Sequence, residues 1–324
     1  MTDLLAQSQI RILARALGAD PAELTAFESL DAADLRALHE RVSDFLCDSQ
    51  AETFGRVSRL ATLVPDALAA KVALSAIPAE VAGRAGGPLS TDHPQRVAGV
   101  LRGLTPGYLA DAAPFLDRRA TAALTRLLPV SILVPTALEL MRRRDHLTAS
   151  LFVEHSTDEQ ISGYESGIDD DAGLLQTIAL IWPPDRLNHT VRLISEVRRH
   201  RIVGTAADGG PEVVAATLSL LSRLDADHAN LLGNKLFAAL DAAQFERIVA
   251  VAAARNAWRE LLGVLTALND SVLTALATHP ALTAEPTLSA LSAAADTART
   301  RSTVAIVRTQ MAGNLGSAEY AGNA

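Results

Sequence analysis

The chain has 324 residues, of which 49% are hydrophobic and 20% are charged, and this composition excludes an intrinsically disordered protein. Its formal net charge of −8 argues against a dedicated nucleic-acid binder, because such proteins need a basic face to displace counterions. Cys47 is the single cysteine, which excludes an internal disulfide framework and favours a reducing compartment.

The N-terminus reads MTDLLAQSQIRIL and has neither the basic start nor the long apolar run of a signal peptide. The most apolar run, 127–140, is interrupted by Pro129 and Pro135 and is shorter than the roughly 20 residues that a membrane span needs. We therefore expect a cytoplasmic protein that is not an integral membrane protein.

Helices are predicted from the start of the chain. Apolar residues at helical spacing predict a helix over 3–17, which Gly18 ends. Asp20 is followed by proline and, three residues later, by glutamate, which predicts a capping box for a second helix. Asp31 is expected to cap a third helix whose apolar pattern runs on to Val64 and Pro65.

One short phrase then recurs: an apolar helical turn ends in Leu, or once in Ile, and Pro or Asp follows within one or two residues. The last three of these junctions are 11 and 12 residues apart, which leaves room for helices of about 8–10 residues and a tight turn. The phrase predicts helix junctions at Pro65, Pro78, Pro106, Asp117 and Pro129.

Helices this short are not stable alone in water, so each apolar face must be covered by a neighbouring helix. Such faces are predicted over 97–104, 109–116 and 120–127, and each buried Leu or Val contributes roughly 1.5–3 kcal/mol. The sequence therefore predicts an all-α fold, an α-solenoid or superhelical stack of short helices in two blocks. A Gly-rich stretch, 83–94, is expected to be a loop.

The second half is predicted to follow an acidic, Gly-containing segment in which Ser156 to Glu159 matches a capping box. One helix is expected over 185–202 and a last helix over 287–311. Between them the Leu-Asp phrase returns at Asp225 and at Asp241, where Gln244 completes a capping box. The predicted organisation is an N-terminal helical-repeat block, an acidic connecting segment, a C-terminal helical block and a mobile tail: 1–153, 154–173, 174–311 and 312–324.

The Leu-x-x-Leu-x-Pro and Leu-Asp phrases that open these Leu/Ala-rich helices resemble the cytoplasmic N domain of MgtE-type magnesium transporters, and more distantly the helical repeats of the flagellar motor switch. The resemblance covers roughly Leu60 to Met141, and more faintly Leu221 to Val249. In that family the N domain takes part in magnesium-dependent gating through acidic side chains. Here Arg118, Arg119 and Arg126 are prominent instead, so the resemblance implies the helical-repeat fold and not the metal role.

Three consecutive carboxylates in the acidic segment are weak candidates for metal ligands, because hard cations prefer oxygen. The EF-hand spacing is absent, so a solvated acidic loop is the preferred interpretation. The three residues are Asp169, Asp170 and Asp171.

Arginines after the first block and within the predicted helix 185–202 are weak candidates for a partner-binding surface, since they could meet an acidic protein or phosphate groups. The plainer interpretation is a solvated face with basic residues at helix ends. The candidates are Arg142, Arg143, Arg144, Arg192, Arg198, Arg199 and Arg201.

No catalytic constellation is recognisable. The run GYESG, 163–167, has its serine one place away from a nucleophile elbow, and no strand pattern precedes it. The histidines form no metal-ligand pair. We therefore predict a protein that is not an enzyme and that has no cofactor.

Three functions remain open at this level. The first is a non-enzymatic scaffold or regulatory adaptor whose extended helical surface binds a protein partner. The second is a binder or carrier of an apolar small molecule, a lipid or isoprenoid, in a cavity that includes the Leu/Val/Ile-rich segment 127–141. The third, implied by the resemblance alone, is a magnesium-responsive regulatory domain. The sequence assigns neither the partner nor the oligomeric state.

Overall fold

The computed structural model describes residues 4–61 and 64–321, apart from the side chains of residues 50–61, 91 and 311–321. Throughout this part of the chain the regular structure is helical and no strand occurs, which confirms the predicted all-α fold. The described chain divides into two compact units. We call them the 8–194 unit and the 195–321 unit, and residues 4–7 belong to the latter.

The first twelve α-helices are α1 Leu4–Leu17, α2 Ala32–Ala61, α3 Asp66–Ala76, α4 Ala79–Asp92, α5 Pro94–Leu101, α6 Pro106–Ala112, α7 Arg118–Thr125, α8 Val130–Arg142, α9 His146–His155, α10 Asp158–Gly167, α11 Asp171–Ile178 and α12 Pro184–Leu193. Two 3-10 helices accompany them, Pro21–Ser29 and Ala113–Phe115.

The 195–321 unit contains α13 Glu196–Gly204, α14 Pro211–Leu221, α15 Ala226–Phe237, α16 Ala242–Ala254, α17 Trp258–Ala267, α18 Asp270–Ala277, α19 Pro280–Thr283, α20 Glu285–Ala294 and α21 Ala298–Ala321. Residues 4–7 are held to this unit by two hydrogen bonds. The Leu4 backbone amide donates to the carboxylate of the buried Glu260 (2.7 Å), and the Gln7 side-chain amide donates to the Arg255 carbonyl (3.0 Å).

The predicted helix junctions are confirmed where α3, α4, α6, α7 and α8 begin. Thr105 and Asp117 cap α6 and α7 by accepting backbone N–H groups at 3.3 and 2.7 Å, which satisfies donors that the first helical turn leaves unpaired. Asp241 and Gln244 form the predicted capping box of α16. Gly18, with φ +66°, ends α1 as expected.

Several helices of each unit pack on the helix two places further along the chain, although α4 also packs on α7, and α18 packs on α21. In the 8–194 unit, α6 packs on α8, α8 on α10 and α10 on α12, while α7 packs on α9 and α9 on α11. In the other unit α13 packs on α15, α15 on α17 and α14 on α16. Stacked helical hairpins have this neighbour pattern. A continuous solenoid through the whole chain stays a prediction.

The predicted loop over 83–94 is wrong, because most of this stretch belongs to helix α4. The glycines there allow close packing. A Cβ added at Gly83 would lie 2.3 Å from the carbonyl oxygen of Ala112, and one at Gly87 would lie 2.8 Å from Cβ of Asp117. Glycine costs a helix roughly 1 kcal/mol relative to alanine, and here that loss is offset by the close contact of α4 with its neighbours.

The run 163–167 is also a helical packing face. Gly163 and Gly167 lie one turn apart on α10, and Cβ atoms there would come within 2.5 and 2.6 Å of the side chains of Val130 and Val134 on α8. The predicted connecting segment 154–173 is therefore largely helix inside the 8–194 unit, and the division between units falls after residue 194.

Several helix ends differ from the prediction. The helix expected over 185–202 is two helices, because Ile194 has an extended backbone (φ −74°, ψ 135°). The capping box expected at Ser156 is formed one residue later, by Thr157 with Gln160. Asp20 caps a 3-10 helix, accepting from the Ala22 amide at 2.8 Å.

The last predicted helix, 287–311, corresponds to α20 and the start of α21. Helix α21 continues to Ala321 through most of the segment predicted as a mobile tail, and residues 322–324 lie outside the described residues. None of the helices in the described ranges combines the length and the apolarity that crossing a membrane requires.

Candidate functional site

A cavity of about 640 Å³ lies among helices α3 to α8 of the 8–194 unit. Its wall is mostly aliphatic. The apolar face predicted over 97–104 lies in this wall, and Leu128, Ile132 and Leu133 contribute from the segment 127–141 in which the sequence predicted an apolar cavity. Part of the wall belongs to a buried cluster formed by Ala70, Ala73, Leu104 and Leu109.

Small residues on α4 make room for the cavity. Gly83 and Gly86 both line it, together with Ala82 and Ala85. A Cβ at Gly86 would lie 2.9 Å from Cδ1 of Leu116, which also lines the cavity. The glycines therefore do two things: they let α4 approach its neighbours closely, and they leave part of the wall without side chains.

Three polar side chains in the wall are bonded to backbone carbonyls of the protein. Thr136 donates to Ile132 (2.8 Å), which lies one turn earlier in α8. The Tyr108 hydroxyl donates to Ile77 (2.9 Å), and burial raises the pKa of this phenol. Arg96 donates to the Val64 carbonyl. Among the described residues that line the cavity, none carries a carboxylate.

His93 is the fourth polar side chain of the wall. It occupies the junction between α4 and α5, where its amide donates to Leu89 (2.9 Å) and its carbonyl accepts from Arg96 and Val97 (both 3.1 Å). The backbone on both sides of His93 is therefore fixed, and this half-buried residue lines the cavity.

Exposed apolar side chains border the cavity. Val72 on α3, Ile77 and Val81 all line it, yet they keep 45%, 37% and 44% of their surface exposed. Leu68 and Leu74 on α3 are exposed as well, at 51% and 41%. The opening of the cavity is thus apolar, which is unusual for a surface facing water.

The predicted metal candidates have structural positions at the start of α11. Asp170 caps this helix and accepts from the Gly173 amide at 2.8 Å, while Asp171 lies in the first helical turn, where a negative charge is favourable. Asp169 is exposed. In the ranges that the structure describes, no group of three or more His, Cys, Asp or Glu side chains is arranged to hold a metal ion.

Two of the predicted partner-binding arginines are paired with carboxylates. Arg142 and Arg143 both bond to Glu139 (2.6 and 2.8 Å), and these hydrogen bonds lower the pKa of Glu139 to about 2. Arg143 also pairs with Asp111 (2.5 Å). Arg144 follows α8 with a left-handed backbone (φ +58°) and is exposed.

The remaining candidate arginines differ in exposure. Arg192 on α12 and Arg201 on α13 are exposed, Arg199 is half-buried, and Arg198 is buried with only 9% of its surface accessible. Since the predicted helix 185–202 is two helices, Arg192 lies on α12 and the other three arginines lie on α13, not all on one helix as predicted.

A second cluster of polar groups surrounds Cys47, near a smaller cavity of about 150 Å³. Burial raises the pKa of the Cys47 thiol to about 11, which favours the protonated form of the thiol at neutral pH. Burial opposes ionisation of Asp117, but hydrogen bonds from Cys47 and Arg119 outweigh it and lower the pKa of this carboxyl. Arg119 also pairs with Asp48 (2.9 Å). The charges of this cluster compensate one another.

Sequence reasoning missed the contribution of α4 to the cavity because it interpreted the glycines as a loop. A usable signal was present: Ala82, Ala85 and Leu89 recur at helical spacing through the Gly-rich stretch, and all three line the cavity. His93, which ends that stretch, was missed for the same reason.

Comparisons with protein-family models, with curated proteins and with solved structures find no match to this chain.

Proposed function

We propose that this protein binds an apolar small molecule in the cavity between α3 and α8. The observation that carries the proposal is the cavity itself, about 640 Å³ in volume with a mostly aliphatic wall. Ligand sites in proteins typically measure roughly 300–1,000 Å³ and are lined mainly by apolar side chains.

The volume favours a built site over a packing defect. Helical cores pack as densely as organic crystals and leave few voids larger than a water molecule. The part of the wall that α4 supplies includes four small residues, Ala82, Gly83, Ala85 and Gly86, and its two glycines lie in close contact with neighbouring atoms of the protein. A site of this size suits an aliphatic or isoprenoid body.

The polar atoms of the wall favour an apolar body as well. The hydroxyls of Thr136 and Tyr108 already donate to backbone carbonyls, so a ligand gains little by presenting polar groups to them. A buried polar group without a partner costs roughly 1–3 kcal/mol. Polar ligands are therefore disfavoured over most of the wall.

The border of the cavity supports the same proposal, since Val72, Ile77 and Val81 are exposed and also line the interior. An apolar molecule can pass from these side chains into the cavity without crossing a polar rim. Binding would cover part of this apolar surface.

Titration with diphenylhexatriene, a neutral probe that fluoresces in apolar surroundings, tests the proposal. We expect saturable binding of one probe to the wild-type protein. Ala82→Phe, which adds a ring inside the cavity, should weaken binding at least about tenfold, a change worth about 1.4 kcal/mol. Ala123→Phe is the matched control, because Ala123 is exposed on α7 and does not line the cavity. Non-saturable fluorescence, or equal binding by both variants, would contradict the proposal.

A protein-interaction scaffold is the second candidate function, and the exposed apolar side chains of α3 favour it. Leu68, Val72 and Leu74 lie on this one helix and are each at least 41% exposed. Exposed apolar patches often mark interaction surfaces. Leu68→Ser combined with Leu74→Ser separates the two functions, because neither residue lines the cavity. This variant should keep probe binding in full and lose a partner captured by the wild-type protein.

A further inference from the structure

The cavity has one polar corner, formed by His93 and Arg96, which lie three residues apart at the start of α5. His93 is the N-cap residue of α5 and Arg96 is the third residue of its first turn, and side chains at these two positions are close enough to meet. Elsewhere in the wall, the hydroxyls of Thr136 and Tyr108 are turned towards backbone carbonyls. The polar groups that a ligand could use are therefore concentrated at the end of the cavity next to α5.

The imidazole of His93 is the group in this corner that is able to accept or donate a further hydrogen bond. Within the part of the chain that the structure describes, its ring has no hydrogen-bond partner, although its backbone is bonded on both sides. A neutral imidazole carries one donor and one acceptor. Because the ring is half-buried in the cavity wall, a bound molecule is well placed to supply the partner.

Arg96 adds positive charge beside the ring. Its guanidinium donates to the Val64 carbonyl and lies 3.4 Å from the carboxylate of Asp66. Asp66 is packed closely against α5, since a Cβ at Gly99 would lie 2.1 Å from its Oδ2, and 44% of its side chain is exposed. An anionic group entering the corner would share the guanidinium with a carboxylate that water already solvates.

We propose that the ligand is a long-chain monocarboxylic acid, with its aliphatic chain in the cavity and its carboxylate hydrogen-bonded to His93 beside Arg96. This inference rests on the proposed function. An N–H donor and a guanidinium together favour an oxygen acceptor with negative charge, because charge-assisted hydrogen bonds are about twice as strong as neutral ones. The same guanidinium disfavours a long-chain amine, whose ammonium group would be repelled.

Displacement of diphenylhexatriene by three molecules with the same chain tests this inference: dodecanoic acid, its methyl ester and dodecan-1-ol. We expect the wild-type protein to bind the acid about tenfold more tightly than the ester or the alcohol, which is the scale of one hydrogen bond to a charged group. His93→Leu should remove this preference and leave the affinity for the alcohol unchanged within about twofold. His155→Leu is the control, since His155 is a half-buried histidine of the same unit that does not line the cavity.

The outcomes separate the two proposals. Equal binding of acid, ester and alcohol, or a preference for the acid that His93→Leu preserves, would overturn the monocarboxylate and leave the apolar site standing. No displacement by any of the three would overturn the apolar site itself. Imidazole ¹⁵N chemical shifts of the wild-type protein supply a measurement that does not depend on a variant. Addition of dodecanoic acid should move the His93 resonances and leave those of His155 in place, and an unmoved His93 would refute the contact.

Discussion

Gly83 shows how one missing side chain positions a helix. Its Cα faces the carbonyl oxygen of Ala112, and a Cβ there would lie at 2.3 Å from that oxygen, well inside van der Waals contact. The obstacle is backbone, which cannot rotate away. We therefore expect Gly83→Ala to lower the free energy of unfolding by about 1–3 kcal/mol, the usual cost of overpacking. Urea denaturation followed by circular dichroism measures this change.

Gly204 supplies the matched control for that prediction. It ends helix α13, and a Cβ added there would meet no heavy atom within 4 Å. Gly204→Ala should be neutral or stabilise the protein by up to about 1 kcal/mol, because alanine favours the helix. A loss of stability in both variants would show that packing at Gly83 is not the cause.

His39 makes stability depend on pH. Burial, and after it the charge of Arg36, lowers the pKa of this imidazole from 6.5 to about 4. Between these two values the unfolded chain binds a proton that the folded chain does not, so the free energy of unfolding falls as the pH falls below about 6.5. At pH 5 the free energy of unfolding should be about 2 kcal/mol lower than at pH 7 because of this one group.

His39→Phe tests this origin of the pH dependence, because phenylalanine keeps a planar ring that does not titrate. Urea denaturation gives the free energy of unfolding of both proteins at pH 7 and at pH 5. The decrease from pH 7 to pH 5 should be about 2 kcal/mol smaller in the variant than in the wild-type protein. At pH 5 few carboxylates are protonated, which keeps their contribution small. The same pH dependence in both proteins would assign it to other groups.

Sequence reasoning worked best for residues whose partners are near in the chain. Asp117 and Asp241 bond to backbone groups two or three residues away, and local sequence predicted a helix junction at the first and a capping box at the second. The partner of Gly83 is Ala112, which lies far along the chain. Glycine in a loop and glycine in a close helix contact look alike in a sequence, so the role of Gly83 was not predictable.

At the level of whole elements, α8 and α10 form an interface in which two glycines meet two valines. Gly163→Ala would place a Cβ 2.5 Å from Cγ1 of Val130. Here the obstacle is a side chain, so a second substitution can remove it. We expect Gly163→Ala to cost about 1–3 kcal/mol and Val130→Ala to restore part of that loss, giving an interaction energy of at least about 0.5 kcal/mol in a double-mutant cycle.

Thermal and urea denaturation of the wild type, the two single variants and the double variant complete this cycle. Additive losses would mean that the two residues do not share an interface. Gly167→Ala alone is a useful comparison, since the same helices bring it to 2.6 Å from Cγ1 of Val134, one turn further on. Val130→Ala should not relieve that second contact.

Helix boundaries were predictable where proline or a capping residue marks them. The junctions before α3, α4, α6, α7 and α8 all carry such a residue, and all were located correctly. The break between α12 and α13 carries no proline, and hydrophobic periodicity runs through it. Ser195 takes the N-cap position of α13, and serine is a preferred N-cap residue, so the sequence carried a signal that the prediction did not use.

At the scale of the whole molecule, the cavity is the feature that sequence reasoning reached only in part. The apolar face of α5 was predicted, and a cavity involving 127–141 was one of the alternatives. Its volume and its polar corner depend on helices brought together from residues 64–152, and that arrangement cannot be derived from periodicity. A repeat pattern predicts that neighbouring helices cover one another. It does not predict where they leave space.

The position of the cavity determines where a ligand should stabilise the chain. All of its lining residues belong to the 8–194 unit and most of them lie on α3–α8, so a bound ligand should stabilise these helices against opening. A ligand that binds only the folded site, present at 100 times its Kd, raises the free energy of any opening that destroys the site by about 2.7 kcal/mol. Amide hydrogens that exchange through such an opening should then exchange roughly 100-fold more slowly.

With dodecanoic acid, slowed exchange is expected over 66–142 and unchanged exchange in helices α14–α18. Ala82→Phe should abolish the effect, since its ring occupies the cavity. Protection spread evenly over both units, or retained in Ala82→Phe, would place the binding site elsewhere.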